Sequence, residues 1–465
     1  MISRIIRSST LILFLFMLAA CALLSSEHAR ASAREVTFTR DIAPIFFNRC
    51  TECHRQGEIA PMSLLTYKEA RPWARSIREK VITREMPPWH ADRSHGEFAN
   101  DRSLTQKEID VISAWVDGGS KEGNPADLPA APSYTDGWSI GKPDVVLTMN
   151  QEYTVEARGP DEYQYFIVPT GFTEDRFIQA VEIRPGNRKV VHHLVVFVQP
   201  PAPKNPQPAP AVSDVKSKPA AKADVSTQYR DGFVMRTKDD APVYDDGCSL
   251  PNGGGGTSHD VSKQAPVPLI LGEYLPGGRG EVIQPGRAKL IPAGSSLVFQ
   301  VHYSKTTGEV QKDLSRIGLI FAKAQPRKLI ETGLIFNGYF RIPPGASSHR
   351  TTACWMFPDD AEIVSLTPHM HFRGKAMEIR AIYPDGKSQI LLNVPSYKFA
   401  WQTIYYLSRP LRVPKGTRIA VTTLFDNSPE NKYNPDASRA VRWGEPTYDE
   451  MLAAFIDYSV TRSEK

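Results

Sequence analysis

Apolar residues follow two different periods along this chain of 465 residues. In the first third they recur at the spacing of amphipathic helices, and Ile109, Ile112 and Trp115 fall on one helical face. Thr105 and Glu108 precede that face at the spacing of a capping box, which marks the start of a helix. The pattern predicts a small all-α domain over residues 34–123.

Beyond residue 140 the apolar residues form short alternating or continuous runs that are typical of strands. Examples are Val145–Leu147, Val195–Val198 and Leu297–Val301. The segment Tyr383–Gly386, with the sequence Tyr-Pro-Asp-Gly between two apolar runs, predicts a hairpin turn. We predict two β-rich domains, over residues 140–325 and 326–465.

Three segments lack a hydrophobic face that could be buried. Residues 124–139 begin with a stretch rich in Pro, Ala and Asp and are predicted to be a linker. Residues 199–228 are dominated by Pro, Ala, Lys and Ser, which predicts a disordered surface insertion in the first β-rich domain. The glycine run Gly253–Gly256 is predicted to be a loop.

The first 33 residues have the pattern of an export signal. Arg4 precedes an apolar run, Leu11–Leu24, that is too short to span a bilayer comfortably. Two cleavage sites compete: a lipobox-like sequence would leave a lipid-bearing Cys21, whereas Ala31–Ala33 fits an ordinary signal peptidase. We therefore expect a periplasmic protein, associated with the membrane only if it is lipidated at Cys21.

Charge and cysteine content narrow the class further. The 56 basic and 51 acidic residues give a net charge of +5 without a long basic run, so nucleic acid is not expected as a partner. The 41% hydrophobic content is enough to bury a core in each domain. Besides the leader cysteine and one tight pair, only Cys248 and Cys354 remain, and whether they form a disulfide stays open.

The tight pair belongs to the sequence Cys50-Thr-Glu-Cys53-His54, a haem attachment motif. Its two thiols can bond the haem vinyl groups, and the adjacent imidazole can become the proximal iron ligand. A redox or zinc site is the alternative, but no second cysteine pair and no thioredoxin-like strand accompany the motif. Residues 36–123 resemble cytochrome c, and the resemblance implies one covalent haem c.

The sixth iron ligand is predicted to be Met86. It lies in a segment stiffened by two prolines, and a thioether ligand raises the potential of a c-type iron. Met62 and His90 are the alternatives.

Five of the 11 histidines stand in β-rich contexts with motif-like spacing. His369 and His371 are two residues apart, so in a strand they point to the same face and could chelate one ion. His192 and His193 are adjacent and would point to opposite faces, so their use on one ion requires a strand end or a bulge. His302 ends an apolar run. Imidazole-rich sites suit Zn, Cu, Fe and Ni.

Three other histidines are interpreted as ordinary core or surface residues: His95, His259 and His349.

The order of these motifs resembles the copper type II, ascorbate-dependent monooxygenases, the family of peptidylglycine and dopamine hydroxylases. The resemblance spans residues 140–463 and implies two antiparallel, jelly-roll-like β-sandwich domains with two coppers. It assigns an electron-transfer copper to His192, His193 and His302. It assigns an oxygen-binding copper to His369, His371 and Met451, which would be the catalytic residues.

Several positions depart from the peptide-amidating members of that family. Thr367 replaces an arginine that grips the substrate carboxylate, Phe455 replaces a tyrosine, and Ala453 replaces an asparagine. Because Thr and Phe cannot form a bidentate carboxylate clamp, peptidylglycine is not expected as the substrate. Cys354 matches a family half-cystine, but no cysteine follows Met451, so the family's disulfide pattern does not carry over.

Together these patterns predict an exported haem- and copper-dependent monooxygenase. It would hydroxylate an organic C–H bond with O2 and receive electrons through the haem. The expected partners are a small organic substrate, O2 and a periplasmic electron donor. The alternatives are a non-enzymatic electron-transfer or copper-binding protein, and a haem-tethered binding module whose histidines take zinc or no metal. The substrate, the donor and the oligomeric state stay open.

Overall fold

The computed structural model describes residues 34–58, 60–134, 137–159, 161–201, 243–249, 269–305, 307–444 and 446–461. The leader, the predicted insertion from residue 202 onward, Gly253–Gly256 and His259 lie outside the described residues. The chain forms two compact units. The first comprises the chain up to Pro87 and Ser103–Pro132, and the second comprises Pro88–Arg102 and the chain from Ser133.

Every regular element in the described part of the first unit is helical. The helices are α1 (Ala43–Arg49), α2 (Tyr67–Ala70), α3 (Ala74–Ile82) and α4 (Gln106–Asp117), with short helical turns at Phe38–Ile42, Arg71–Trp73 and Pro125–Asp127.

The predicted helix after Thr105 is confirmed as α4. Thr105 and Glu108 form the reciprocal capping box, each side chain bonding the other's backbone N–H. Ile112 and Trp115 are fully buried, and Trp115 packs against Phe38 and Phe46. The helical face read from the sequence is therefore the face that closes the core of this unit.

Residues 88–102 form a strap that belongs to the second unit, so the predicted domain over 34–123 is interrupted. The cause is the apolar content of the strap: Trp89 and Ala91 are buried in the core of the second unit. Phe98 also forms a bridge with Leu407, and the Ala99 N–H donates to the Tyr406 carbonyl at 2.8 Å. The strap thus pairs with an edge of a sheet in the second unit.

The second unit contains 21 strands in the described residues. In chain order they are β1 (Val145–Thr148), β2 (Tyr153–Val155), β3 (Glu162–Pro169), β4 (Arg176–Arg184), β5 (Val191–Gln199), β6 (Ile270–Tyr274), β7 (Glu281–Val282), β8 (Arg287–Ile291), β9 (Ser296–Tyr303), β10 (Gln311–Asp313), β11 (Arg316–Phe321), β12 (Lys328–Phe336), β13 (Arg341–Ile342), β14 (His349–Met356), β15 (Ala361–His369), β16 (Gly374–Ile382), β17 (Ser388–Val394), β18 (Tyr405–Val413), β19 (Arg418–Phe425), β20 (Val441–Arg442) and β21 (Ala453–Thr461).

These strands form two antiparallel β-sandwich halves. In the first half, the sheet β3-β9-β5-β6 packs on β1-β11-β4-β8 through a buried apolar core that includes Leu194 and Phe299. In the second half, the sheet β14-β19-β16-β17 packs on β12-β21-β15-β18 around residues such as Ile363 and Val421. The mainly antiparallel β architecture predicted from the sequence is thereby confirmed.

The two halves share one nine-stranded sheet and form a single compact unit, whereas the sequence suggested two separate domains. A short parallel pairing joins β8 to β12, with Lys328 opposite Arg287. Glu362 of β15 reinforces this join because it accepts hydrogen bonds or ion pairs from Arg287, Lys328 and Arg412. Sheet continuity and this charge cluster therefore connect the halves.

The hairpin turn predicted at Tyr383–Gly386 is confirmed between β16 and β17. Gly386 has a φ of 83°, which favours glycine.

Cys248 and Cys354, whose pairing the sequence left open, form a disulfide. The disulfide fixes a short helical turn at Gly247–Ser249 to β14.

In the described part of the chain, no helix combines the length and the apolar character needed to cross a membrane.

Candidate metal centres

The adjacent pair His192-His193 lies at the beginning of β5, where the strand pairing is irregular. The register between β5 and β9 shifts between Val191 and His193, so the strand bulges at the pair. This irregularity supplies what the sequence required for two neighbouring imidazoles to reach one point. Opposite the bulge, His302 of β9 is the cross-strand partner of His193.

The three imidazoles converge. The Nδ1 atoms of His192 and His193 are 3.0 Å apart, and Nδ1 of His302 lies 3.3 Å from Nδ1 of His193. One ligand nitrogen from each ring lies within 4.8 Å of the others, an arrangement that could hold a metal ion. The structure therefore brings His192, His193 and His302 together in one cluster.

The environment of this triad favours the neutral form of two of its imidazoles. Burial, and then the charge of His302, lower the pKa of His192 to about 4, although Asp161 opposes the shift. Burial, and then the charge of His302, also hold the pKa of His193 well below its usual value. Neutral imidazole is the form that binds metal ions, so both rings are ready for a cation near neutral pH.

Two neighbours hold the ring of His302. Tyr163 stacks on it with ring centroids 4.5 Å apart and planes 9° from parallel. The Nε2 atom of His302 is buried and lies 3.2 Å from a carboxylate oxygen of Asp161, but the two do not have hydrogen-bond geometry. A carboxylate beside a ligating imidazole is a common outer partner in metal sites.

The second predicted set lies where β15 ends. His369 is the last residue of the strand and His371 follows it, with the two ring centroids 5.2 Å apart and the planes perpendicular. The Nδ1 atom of His369 lies 2.9 Å from Oε1 of Gln402, and Nδ1 of His371 lies 3.2 Å from the Asp449 carbonyl. Because both Nδ1–H groups donate to these oxygens, both Nε2 atoms remain for a metal.

The segment that contains Met451 is fixed beside these histidines through the neighbours of Met451 in the chain. Ala453, two residues later, is the cross-strand partner of His369. Glu450, one residue earlier, is completely buried and accepts the backbone N–H of His371 at 2.8 Å and that of Arg373 at 2.6 Å. The structure thus fastens the methionine segment to the His-x-His segment at two points.

Glu450 and Arg373 were not identified from the sequence. The guanidinium of Arg373 is itself fully buried and bonds Asn427 and the Tyr448 carbonyl. Burial raises the pKa of Glu450 to about 7, even though the N–H donors and the charge of Arg373 partly offset this effect. The only sequence signal was the proximity of these charged residues to Met451 and His371, and that spacing is too common to be diagnostic.

The two histidine sets lie on facing sheets of the second unit. Side chains alternate between the two faces of a strand, so His193 and His302 lie on the same face of their sheet as Phe197 and Val298. Phe197 and Val298 pack against Phe455 of β21. The ring of Phe399 lies 5.8 Å from His192 and 5.9 Å from His371, measured between centroids. One aromatic ring therefore contacts both sets.

Two of the three residues that depart from the peptide-amidating pattern, Thr367 and Phe455, line a polar pocket. Thr367 of β15 and Phe455 of β21 are cross-strand partners at its wall, and Glu273 and Asp457 also line it. Lys289, almost fully buried, lies 3.3 Å from Asp457 and 2.9 Å from Glu281. Burial, with Asp457 nearby, raises the pKa of Glu273 to about 8.

The predicted haem residues lie in the first unit, and Cys50 and Cys53 do not form a disulfide. The Nδ1 atom of His54 lies 3.2 Å from the Met62 carbonyl. This contact fixes the ring tautomer and leaves Nε2 for a metal. Met86 lies in the loop after α3, two residues before the strap begins.

Two histidines that were predicted to be outside any metal site have ordinary partners. His349 lies 3.0 Å from Asp245, and His95 lies 3.9 Å from Asp92. His90, the alternative haem ligand, belongs to the strap, and burial followed by the charge of Lys398 lowers its pKa to about 4.

Comparison with known families bears on the second sandwich half. Residues 328–464 match the family model described as copper type II ascorbate-dependent monooxygenase, C-terminal domain. The match begins at β12 and includes both His369-x-His371 and Met451. The match indicates that the chain is a copper-dependent oxidoreductase that uses O2.

Similarity to whole proteins is much weaker. No curated protein matches the chain. Among solved structures, the major capsid protein P2 from bacteriophage PM2 is 10% identical, with 69% of this chain and 98% of that chain covered and a TM-score of 0.23. PNGF-II is 10% identical, with coverages of 78% and 72% and a TM-score of 0.29. At such scores neither structure supports an argument about fold or function.

Proposed function

We propose that this protein is an exported monooxygenase that uses two coppers and one haem c to hydroxylate a C–H bond of a small organic substrate with O2. The observation that carries the proposal is the convergence of His192, His193 and His302 from two strands into one cluster. The second support is that Glu450 and Ala453, which flank the Met451 segment, are bonded to or paired with His371 and His369 within the matched region. A protein that only carried electrons would need one such set, so two sets favour the enzyme.

The first set fits a copper that changes oxidation state during electron transfer. Three imidazoles on two paired strands give a nitrogen-rich site, and imidazole suits copper. Tyr163 and Asp161 hold His302 in place, so its ring has little freedom to move when a bound metal changes oxidation state. We assign the electron-transfer role to this set.

The second set fits the oxygen-reactive role. The soft thioether of Met451 favours reduced copper, the form that reacts with O2, while His369 and His371 present their Nε2 atoms. The bound copper would supply the activation of O2 and the removal of a substrate hydrogen. The chain's own contribution is to orient the two rings through Gln402 and Asp449 and to shield the site by burial.

The pocket beside Thr367 and Phe455 bears on the substrate. Its walls include Glu273 and Asp457, and Lys289 is already engaged by Glu281 and Asp457. Among the described residues no arginine lines this pocket, so the pocket lacks a bidentate clamp for a carboxylate. This absence from the lining agrees with a substrate other than a peptide C-terminus.

We assign the supply of electrons to a haem attached to Cys50 and Cys53, with His54 and Met86 as its iron ligands. A periplasmic donor would reduce this haem. The support is the Cys-x-x-Cys-His sequence in an all-helical unit and the contact that orients His54. Ascorbate is the alternative donor. Export through the first 33 residues places the protein in an oxidising compartment, which agrees with the Cys248–Cys354 disulfide.

Metal analysis and oxygen uptake test the copper assignment. The purified holo-protein should contain two coppers per haem and consume O2 with a reductant and an accepted substrate, found by screening. His193→Ala should lose one copper, and Met451→Ala should lose oxygen uptake while keeping the copper of the first set. His349→Gln is the matched control, because that imidazole bonds Asp245 outside both sets, and it should keep both coppers.

Zinc in both sites, or oxygen uptake that survives Met451→Ala, would contradict the proposal that the protein is a copper monooxygenase.

The haem is tested separately by the absorption spectrum of the denatured protein, in which a covalent haem c stays with the chain. Cys50→Ala with Cys53→Ala should abolish it. Fractionation of the producing cells tests export, and labelling with a fatty acid distinguishes a lipidated Cys21 from ordinary cleavage.

A further inference from the structure

Phe399 is the aromatic residue that touches both histidine sets. Its ring is nearly parallel to that of His192, with 19° between the planes, and perpendicular to that of His371, with 83°. It also lies 6.3 Å from His302 and 4.9 Å from Phe372, measured between ring centroids. These separations are within the range of direct ring contacts, so one side chain occupies the space between the sets.

The turn that carries Phe399 is fastened to the His-x-His segment on both sides. On one side, the Tyr397 hydroxyl donates to the Met370 carbonyl at 2.8 Å and lies 3.2 Å from the Met370 N–H. On the other side, Gln402 bonds Nδ1 of His369. Because Met370 separates His369 from His371, these bonds hold the turn at Phe399–Trp401 to the second set on both sides.

His192 is the part of the first set that meets this ring. It is the half-buried member of the triad, whereas His193 and His302 are buried. The bulge in β5 turns its imidazole away from the face expected for an adjacent residue, and that imidazole stacks on Phe399. Phe399 therefore contacts the first set chiefly through His192, with His302 further away at 6.3 Å, and the second set through His371.

We propose that Phe399 is a positioning residue for electron transfer between the two metal sets. This inference rests on the proposed function. In the step concerned, Cu(I) held by the first set is oxidised to Cu(II), and the copper centre of the second set gains that one electron, without proton transfer. The ring of Phe399 fixes the separation of His192 and His371 and displaces water from between them, which limits solvent reorganisation during the transfer.

Phe399→Leu and Phe399→Ala test the proposal at two levels of severity. Leucine keeps apolar bulk but removes the ring, and alanine opens the gap to water. Phe340→Leu is the matched control, because Phe340 is fully buried and stacks on Phe425 in the sandwich core. The control should lose stability without affecting transfer between the sets.

The measurement begins with protein loaded with two Cu(II) ions. Its copper content and the EPR spectrum of each site are recorded first, with His302→Ala and Met451→Ala used to assign the two signals. One reducing equivalent is then mixed in, and samples frozen at increasing times show how the electron distributes between the sites. We expect slowing of roughly tenfold or more in Phe399→Ala, equivalent to about 1.4 kcal/mol in the barrier, and a smaller slowing in Phe399→Leu.

The outcomes separate the two proposals. Protein that binds fewer than two coppers would overturn the proposed function and this inference with it. Two coppers, native EPR spectra and an unchanged transfer rate in both Phe399 variants would overturn this inference alone. If Phe399→Ala does not fold, the leucine variant decides, because it retains the apolar volume. Equal slowing in Phe340→Leu would also count against a specific role for Phe399.

Discussion

At the scale of single residues, Glu450 fixes the segment that contains Met451 to the segment that contains His371. Its buried carboxylate accepts N–H groups from His371 and Arg373, and the N–H of Met451 lies 3.1 Å from the same carboxylate. A carboxylate that accepts several N–H bonds holds those backbone segments in fixed register. The geometry of the second set therefore depends on a residue that would not itself touch the metal.

Glu450→Gln tests this dependence. The amide offers one acceptor oxygen in place of two and adds a buried N–H donor without a partner, so the loop should loosen. We expect a loss of about 1–3 kcal/mol in the free energy of unfolding. Copper affinity of the second set should fall roughly tenfold to a hundredfold, as measured by competition with a chromophoric chelator.

Glu378→Gln serves as the control for that variant. Glu378 lies on β16 and bonds Arg380 at a partly exposed position, where such a pair contributes about 1 kcal/mol or less. Copper affinity should not change in this control. A Glu450→Gln protein with native affinity at both sets would contradict the role assigned to the carboxylate.

At the scale of elements, the strap of residues 88–102 covers the edge strand β18. Trp89 packs on Tyr405 with ring centroids 5.0 Å apart, and Phe98 packs on the same tyrosine at 5.3 Å. Asn100 adds two bonds, one to the Ile404 carbonyl and one from the Tyr406 N–H. An exposed edge strand invites pairing with other chains, so the strap protects the sheet as well as closing the core.

Trp89→Ala should detach the strap and destabilise the second unit by about 3–5 kcal/mol, the usual cost of truncating a buried tryptophan. Trp73→Ala is matched in chemistry but not in burial, since Trp73 is 43% exposed and Trp89 is 7% exposed. That control should change stability by about 0.5 kcal/mol or less. Thermal unfolding measures both effects, and rapid proteolysis within residues 88–102 should accompany only the first.

If the two tryptophan variants unfold at the same temperature, the strap is not part of the core of the second unit.

At the scale of the whole molecule, a charge cluster around Glu362 links the two sandwich halves. Glu362 of β15 lies 2.7 Å from Lys328 and also bonds Arg287. Burial by itself raises the pKa of Glu362, but hydrogen bonds from Lys328 and Arg287 outweigh that effect and lower it to about 2. This pairing makes the join between the halves sensitive to acid.

A carboxylate whose pKa is lowered by folding contributes its full stabilisation above its ordinary pKa, 4.5 for this group, and loses it as the pH falls toward 2. Glu362→Gln should therefore cost about 1.5–3 kcal/mol at pH 7. The difference from the native protein should shrink as the pH falls below 4.5. Urea unfolding at a series of pH values measures it.

Glu331→Gln, on the same sheet, removes a carboxylate that bonds only the Tyr458 hydroxyl among the contacts described, and it should show little of this pH dependence. A constant difference between Glu362→Gln and the native protein across the range would contradict the ion-pair explanation.

The sequence by itself determined the features that depend on local pattern. Period and capping identified α4, alternation identified the strands, and the Tyr-Pro-Asp-Gly turn identified the β16–β17 hairpin, because each is set by neighbours a few residues apart. Motif order also identified the five clustered histidines. The requirement for a bulge at His192 followed from side-chain alternation alone and is met in β5.

Only the tertiary structure decided which distant segments meet. The pairing of Cys248 with Cys354, the transfer of the strap to the second unit and the buried Glu450–Arg373 network each join residues remote in sequence or hidden by common residue types. The position of Phe399 between the two sets belongs with them. Such contacts depend on how sheets stack and which faces they bury, and this information is spread over the whole chain and has no local signature.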